Sequence, residues 1–212
     1  MKYLTSFLFL CLAVNTFDMA RAQAGEFNRT LSIGDKAPAW EKLLGTDGKE
    51  HSLADLKDKD AVVLVFTCNS CPYAVDYQER IKTLSTKYGG PKGKVAVVAV
   101  NVNKIPEDSL EKMKDRAKER EFNFPYLFDA TQKIAKDYGA TFTPEFFVLG
   151  KDRTIVYMGA LDDATDATKV KIRYVEDALA AALNGGKPKT TETVARGCLV
   201  RYVNERRPMR KK

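Results

Sequence analysis

Two cysteines, Cys68 and Cys71, are separated by two residues and follow directly after a run of apolar residues. A cysteine attacks as the thiolate, which the unpaired N–H groups and partial positive charge of a helix N-terminus stabilise. Pro72 favours a helix that begins directly after the pair, because the first turn needs no hydrogen-bond donor from that residue. The spacing therefore indicates a redox pair in which one sulfur attacks a disulfide and the other releases the product. We expect Cys68 to be the exposed attacking residue and Cys71 the more buried resolving residue.

Metal binding is the main alternative for a pair of cysteines. A structural zinc site needs four ligands, and outside the N-terminal segment only Cys198 and His51 remain, at no spacing typical of zinc proteins. Two thiolates can also bind soft Cu(I), with His51 as an available third ligand. A copper-handling module stays open as an alternative, whereas no zinc site is predicted. The sequence shows no phosphate-binding loop or nucleotide motif, so we expect no organic cofactor.

The N-terminus has the pattern of a secretory signal peptide. Residues 3–14 are apolar but too few to span a bilayer as a helix. Small residues follow in the A-x-A pattern at Ala20, Ala22 and Ala24. We predict a signal peptide over residues 1–24 and a secreted or periplasmic mature protein, with membrane attachment only if this segment is not cleaved.

Cysteine usage fits an oxidising compartment. Cleavage of the signal peptide would remove Cys11 and leave three of the four cysteines. An odd number leaves at least one thiol unpaired or exchanging. Cys198 is therefore either a small packed hydrophobe or a thiol that resolves an oxidised active-site cysteine.

Hydrophobic patterning places the pair at the end of a buried strand. Continuous apolar runs predict buried strands at 61–66 and 94–102, and an amphipathic helix runs from Pro72 to about Gly89. The remaining predicted elements are helices at 110–122, 132–139 and 170–183, a short strand at 125–129, and strands at 145–150 and 154–159. This order predicts an α/β fold, with a central mixed β-sheet flanked by helices on both faces.

The predicted redox domain spans residues 30–186. A basic C-terminal extension at 187–212 is expected to be loose except around Cys198. The chain has a formal net charge of +7, and basic residues are frequent in this extension. Aromatic side chains that could stack on bases are scarce there, Tyr202 apart, so we expect no nucleic-acid partner.

A proline before the predicted strand at 145–150 is the second candidate site feature. Pro144 follows Thr143, and a proline is normally confined to an edge strand or to the first residue of a strand. If the bond between these residues is cis, it places backbone against the cysteine pair, and the N–H and C=O of Thr143 could pair with a bound substrate chain.

These features together resemble the thioredoxin-fold superfamily, and more closely its peroxiredoxin-like, AhpC/TSA-type branch of exported redoxins. The resemblance implies a thioredoxin fold, with Cys68 and Cys71 as the redox pair. It also implies that Pro144 is the cis-proline opposite them and that the backbone of Thr143 touches substrate. The stretches that resemble the family are "IGDKAPAW", "DGKEHSLADLKDKDAVVLVFTCNSCPYAVDYQERI", "FPYLFDATQKIAKDYGATFTPEFFVL" and "GCLVRY".

The chain departs from both related patterns at the pair itself. Thr67 and the dipeptide Asn69-Ser70 stand where thioredoxins usually have Trp and Gly-Pro, so the redox direction stays open. Aligning Cys71-Pro72 with the Cys-Pro of peroxiredoxins makes Cys71 the attacking residue and reverses the roles given above.

The leading functional hypothesis is an exported thiol–disulfide oxidoreductase that uses Cys68 and Cys71 to exchange disulfides with protein or small-molecule thiols. A separate redox partner would recycle the pair. The alternatives are a peroxiredoxin-like thiol peroxidase, with Cys198 as a possible resolving thiol, and a Cu(I)-handling module.

Overall fold

The computed structural model of the chain describes residues 25–90 and 93–203. The predicted signal peptide and the last basic residues lie outside these ranges. Four α-helices are described: α1 Pro72–Tyr88, α2 Leu110–Glu119, α3 Lys133–Tyr138 and α4 Tyr174–Leu183. The described strands are β1 Leu43–Gly45, β2 Glu50–His51, β3 Ala61–Phe66, β4 Val95–Asn101, β5 Tyr126–Phe128, β6 Phe142–Thr143, β7 Glu145–Leu149, β8 Ile155–Gly159 and β9 Cys198–Leu199.

Seven of these strands form one mixed sheet in the order β2-β1-β5-β4-β3-β7-β8. Strands β3, β4 and β5 are parallel to one another, whereas β7 runs antiparallel to β3 and β8 antiparallel to β7. A separate two-stranded ladder pairs β6 with β9. The predicted α/β class with a mixed sheet is confirmed. No helix within the described ranges is long and apolar enough to cross a membrane.

Strand β3 lies at the centre of the core. All six of its residues have no solvent exposure, as its unbroken apolar sequence predicts for a strand covered on both faces. Val62, Leu64 and Phe66 pack into one hydrophobic cluster with α3, and the alternate residues pack into a second cluster with α1, α2 and α4. The cysteine pair therefore begins at the end of the most buried strand.

The structure corrects the predicted start of the last helix. Helix α4 begins at Tyr174 and not at residue 170. The carboxylate of Asp163 accepts hydrogen bonds from the backbone N–H groups of Lys171 and Ile172, at 2.9 and 3.0 Å. These contacts hold Lys171 and Ile172 in a loop, although the spacing of apolar residues over 170–183 also fits a helix that begins at residue 170.

Residues 191–203, which we call the strap, are packed against the domain, so the expectation of a loose chain from residue 187 is wrong for this segment. At its start the N–H of Met158 donates to the Thr191 carbonyl, and the N–H of Thr193 donates back to the Met158 carbonyl, both at 3.1 Å. Further along, the N–H of Val200 donates to the Thr141 carbonyl at 2.8 Å. Ala195 and Val200 are buried.

A glycine allows the strap to approach strand β8. Gly159 has a φ of +136°, and a Cβ built there would lie 2.2 Å from the Thr193 carbonyl oxygen. Only a residue without a Cβ fits this contact. Next to it, the Thr193 hydroxyl bonds with the Tyr157 hydroxyl at 2.6 Å and accepts from the N–H of Ala160 at 2.9 Å.

Candidate redox site

The loop between β3 and α1 contains both predicted redox cysteines. The N–H of Thr67 continues the ladder by donating to the Val100 carbonyl at 2.9 Å, and Cys68 follows. Cys71 is the N-cap residue of α1, and Pro72 is its first residue. The predicted position of the pair at a strand-to-helix junction is confirmed, with Cys71 adjacent to the positive end of the helix dipole.

Both sulfurs contact Thr143. The Cys68 Sγ lies 3.4 Å from the Thr143 hydroxyl, and the Cys71 thiol donates to the Thr143 carbonyl at 3.1 Å. Cys198 packs against the two cysteines, and all three are free thiols. The expected difference in exposure is not found, since Cys68 and Cys71 are each 2% exposed.

The peptide bond between Thr143 and Pro144 is cis, in agreement with the resemblance. Thr143 is the last residue of β6 and pairs in register with Cys198 of β9. Its hydroxyl also donates to the Cys198 carbonyl at 3.5 Å. The structure therefore brings together the two predicted redox cysteines, Cys198 and Thr143, with Pro144 directly after the contact residue. The Thr143 backbone pairs with a segment of the same chain.

A buried carboxylate supports the loop between the two cysteines, a role that no sequence pattern indicated. Asp108 has no exposed surface. It accepts four hydrogen bonds: from the N–H of Asn69 at 2.7 Å, the N–H of Ser70 at 3.1 Å, the Ser70 hydroxyl at 2.6 Å and the Asn103 amide at 3.0 Å. Buried polar groups are normally hydrogen-bonded in this way. The position of Asp108 before a predicted helix could suggest a cap, but only tertiary structure brings it to the cysteine loop.

Further polar groups connect this loop to the strap. The Tyr126 hydroxyl donates to the Asn69 side-chain oxygen at 3.1 Å, and the Asn101 amide donates to the Tyr126 hydroxyl at 3.3 Å. The side-chain oxygen of Asn103 accepts from the N–H of Arg201 at 2.9 Å. One network of buried polar side chains therefore holds the redox loop on one side and the strap on the other.

The two sulfurs differ in their electrostatic surroundings. The interaction with the neighbouring Cys68 thiol lowers the pKa of Cys71 to about 4, and the same interaction raises the pKa of Cys68 above its ordinary value. Burial and the negative charge of Asp108 also raise the pKa of Cys68. The Thr143 carbonyl opposes ionisation of Cys71, because it accepts a proton that only the neutral thiol has. The helix N-terminus favours the thiolate on Cys71, and we conclude that Cys71 is the more acidic thiol.

Cys198 has a pKa raised to about 11, first because of burial and second because of its contact with Cys71. It is the most accessible of the three cysteines, with intermediate exposure. The next residue, Leu199, is 65% exposed.

His51 does not lie with the cysteines, so its assignment as a copper ligand is wrong. It is in β2 at the edge of the sheet, and three strands separate β2 from β3. At a spacing of about 4.8 Å between strands, the separation is roughly 19 Å. Its Nε2 atom contacts the Asp47 carboxylate at 3.1 Å. Within residues 25–90 and 93–203, no group of three His, Cys, Asp or Glu side chains could hold a metal ion.

Comparison with known proteins identifies the class to which this fold and cysteine pair belong. Residues 32–177 match the model of the Redoxin family, so the chain belongs to that family. A search of curated proteins found no match.

Two similar solved structures have no stated function. A hypothetical protein from Sinorhizobium meliloti is 32% identical with a TM-score of 0.76, and the match covers 84% of this chain and 98% of that one. An uncharacterized conserved protein from Geobacillus kaustophilus is 34% identical with a TM-score of 0.76, and the match covers 84% and 96% of the two chains.

More distant structures share the fold. A peroxidoxin from Mycobacterium tuberculosis is 22% identical with a TM-score of 0.56, and the match covers 73% of this chain and 97% of that one. A putative thiol:disulfide interchange protein from Chlorobium tepidum is also 22% identical, with a TM-score of 0.55 and the same coverage. These likenesses confirm the predicted thioredoxin fold. The protein is a thiol redox protein of the Redoxin family.

Proposed function

We propose that this protein is a thiol–disulfide oxidoreductase in which Cys71 attacks and Cys68 resolves. The main support is the position of Cys71 at the N-cap of α1, where the helix N-terminus favours its thiolate. These roles reverse our sequence-based preference and correspond to the alignment of Cys71-Pro72 with peroxiredoxins.

In the proposed reaction the Cys71 thiolate attacks one sulfur of a substrate disulfide and displaces the other as a thiolate. Cys68 then attacks the Cys71 Sγ in the mixed disulfide. This step forms the Cys68–Cys71 disulfide, and the Cys68 proton passes to the departing substrate sulfur. Two electrons thus move from the pair to the substrate, and a separate redox partner must return them.

Thr143 and Pro144 are the proposed substrate-binding residues. The Thr143 carbonyl accepts from the Cys71 thiol, so a chain that pairs with this backbone would lie beside the attacking sulfur. Extended polypeptides bind sheet edges through such main-chain hydrogen bonds. We propose protein disulfides as the main substrates and small-molecule disulfides as a second class. The predicted export signal supports action outside the cytoplasm.

The test compares Cys68→Ser with Cys71→Ser, each of which serves as the matched control for the other. With Cys71 as attacker, Cys71→Ser abolishes insulin reduction. Cys68→Ser cannot resolve, so it accumulates a mixed disulfide with insulin that mass spectrometry detects. Alkylation of Cys71 in Cys68→Ser should follow an ionisation below that of free cysteine, because the N-terminus of α1 still favours the Cys71 thiolate.

Two results would contradict this account. Insulin reduction at the wild-type rate by Cys71→Ser would show that Cys71 is not needed. A mixed disulfide that accumulates in Cys71→Ser and not in Cys68→Ser would restore the roles expected from the sequence.

A thiol peroxidase is the second candidate function, favoured by the contact between Cys71 and Cys198. In this reaction Cys71 would be oxidised to a sulfenic acid and Cys198 would condense with it to a disulfide, releasing water. It predicts that the reduced protein loses thiols to hydrogen peroxide much faster than free cysteine at the same pH; an equal rate would exclude it. The oxidoreductase is favoured because no cationic side chain in the described part of the chain hydrogen-bonds to either sulfur of the pair.

A further inference from the structure

The strap occupies the backbone edge at which the proposed function places a substrate. Strand β9 pairs antiparallel with β6, in the register Thr143 with Cys198 and Phe142 with Leu199. The strap therefore already makes the main-chain pairing that an extended substrate would make. This inference rests on the proposed function, because it concerns access to the same pair of cysteines.

Local chemistry supports a specific contact between strap and site. A Cβ on Gly197 would lie 2.0 Å from the Thr143 carbonyl oxygen, and the obstructing atoms belong to backbone that cannot move aside easily. The absence of a side chain at this position allows the strap to lie close against Thr143. The following residue, Cys198, then packs against Cys71 and Cys68.

Packing alone does not account for a cysteine at this position. Buried hydrophobes of the strap lie on either side, at Ala195 and Val200, whereas Cys198 is partly exposed and Leu199 is largely exposed. The thiol lies in register with the residue that contacts both redox sulfurs, as a substrate cysteine would.

We propose that Cys198 is a third redox thiol that forms a disulfide with Cys71 and latches the strap over the substrate-binding edge. After one turnover the enzyme holds the Cys68–Cys71 disulfide. The Cys198 thiolate attacks the Cys71 Sγ, a new bond forms between these sulfurs, and Cys68 leaves as a thiolate that takes up the proton lost by Cys198. The exchange needs no external oxidant, because one disulfide replaces another.

The latched state has a defined consequence for substrates. Cys71 is blocked, Cys68 is a free thiol, and the Thr143 edge is covered, so a protein disulfide cannot enter. The redox partner that reduces the Cys71–Cys198 bond frees the strap and restores access. A substrate can therefore bind at the Thr143 edge only after the redox partner has reduced the Cys71–Cys198 disulfide.

The first part of the test maps disulfides in the full chain after incubation with glutathione disulfide and alkylation of the remaining thiols. Wild type is expected to contain a Cys71–Cys198 linkage with Cys68 alkylated, beside the Cys68–Cys71 form. Among the three site cysteines, Cys68→Ser can form only the Cys71–Cys198 disulfide, and it should convert to that form. Cys198→Ser should contain only the Cys68–Cys71 disulfide. The proposal would be overturned if neither wild type nor Cys68→Ser contained the Cys71–Cys198 disulfide.

The second part measures opening of the strap, which contains the trypsin sites Arg196 and Arg201. In oxidised Cys68→Ser, trypsin cleavage at these sites should slow at least about tenfold relative to the reduced protein, since the cross-link restricts local opening. The double variant Cys68→Ser with Cys198→Ser should show no such difference. Equal cleavage of the oxidised and reduced single variant would refute the latch even if the disulfide forms.

Gly197→Ala supplies an independent perturbation that leaves all thiols in place. The added Cβ should displace the strap, accelerate its cleavage in the reduced protein and lower the yield of Cys71–Cys198. Gly186→Ala is the matched control, because its Cβ would meet only one atom, at 3.8 Å. If a folded Gly197→Ala protein showed the wild-type rate of strap cleavage and the wild-type yield of Cys71–Cys198, the proposed role of the pairing between Thr143 and Cys198 would be contradicted.

The readouts separate this inference from the proposed function. Insulin reduction that depends on Cys68 and Cys71, without any Cys71–Cys198 linkage, would leave the oxidoreductase and remove the latch. A latch that forms and protects the strap, in a protein that reduces no disulfide substrate, would remove the oxidoreductase and leave the latch.

Discussion

Replacing the buried carboxylate beneath the cysteine loop, by Asp108→Asn, tests how the site is held in place. The amide keeps the shape of the carboxylate, and its oxygen can still accept from the N–H groups of Asn69 and Ser70. The second oxygen, which accepts from the Ser70 hydroxyl and the Asn103 amide, becomes an NH₂ group. The Ser70 hydroxyl can rotate and accept from this group, whereas the Asn103 amide loses its acceptor. One buried donor is left unpaired and the remaining bonds lose their charge, so the expected loss in the free energy of unfolding is about 2–4 kcal/mol.

The same substitution should alter the chemistry of the pair. The negative charge of Asp108 raises the pKa of Cys68, so its removal should lower that pKa while a displaced loop slows disulfide exchange. Urea unfolding measures the stability, and thiolate absorbance against pH measures the ionisation. Asp115→Asn is the control, because that carboxylate is 71% exposed and should change stability by less than about 0.5 kcal/mol. An Asp108→Asn protein as stable as this control, with unchanged thiol titration, would contradict the supporting role of Asp108.

Three further substitutions test other parts of the structure. Arg80→Met removes the partner of buried Asp162, so urea unfolding should show a loss of about 3–5 kcal/mol. Burial raises the pKa of Glu145 above its ordinary 4.5, so the free energy of unfolding falls as pH rises from 4.5 through the pKa of the folded state. Glu145→Gln should flatten this part of the profile of stability against pH. An unchanged profile would contradict the raised pKa of Glu145. Gly159→Ala should raise trypsin cleavage of the strap, because its Cβ would collide with Thr193; unchanged cleavage would count against that contact.

Sequence patterns were sufficient for elements whose burial is uniform or periodic. The six residues of β3 are apolar without interruption, and they form the strand with no exposure. Hairpin β7–β8 follows from two apolar runs around a turn. The N-cap position of Cys71 could likewise be predicted from the sequence, because Pro72 favours the start of a helix.

Tertiary contacts decided the parts that the sequence did not predict. Strands β6 and β9 are two residues each, too short for an alternating pattern, and they exist because distant segments meet. The relative acidity of the two cysteines depends on what surrounds each sulfur in the folded protein, which no local pattern determines. Asp108 could be placed beneath the loop only when the end of β4 and the start of α1 were known to be adjacent.

The contrast between β3 and the strap has a consequence for motion. Amides of β3 pair with strands on both sides, so their hydrogen exchange should require unfolding of the whole domain. Amides of β9 pair with one short strand and should exchange through local opening on a much faster timescale. Cys68 follows the first segment and Cys198 begins the second. The thiols that meet at this site therefore lie next to a segment expected to exchange slowly and within one expected to exchange quickly, so access to the site is expected to follow local opening of β9.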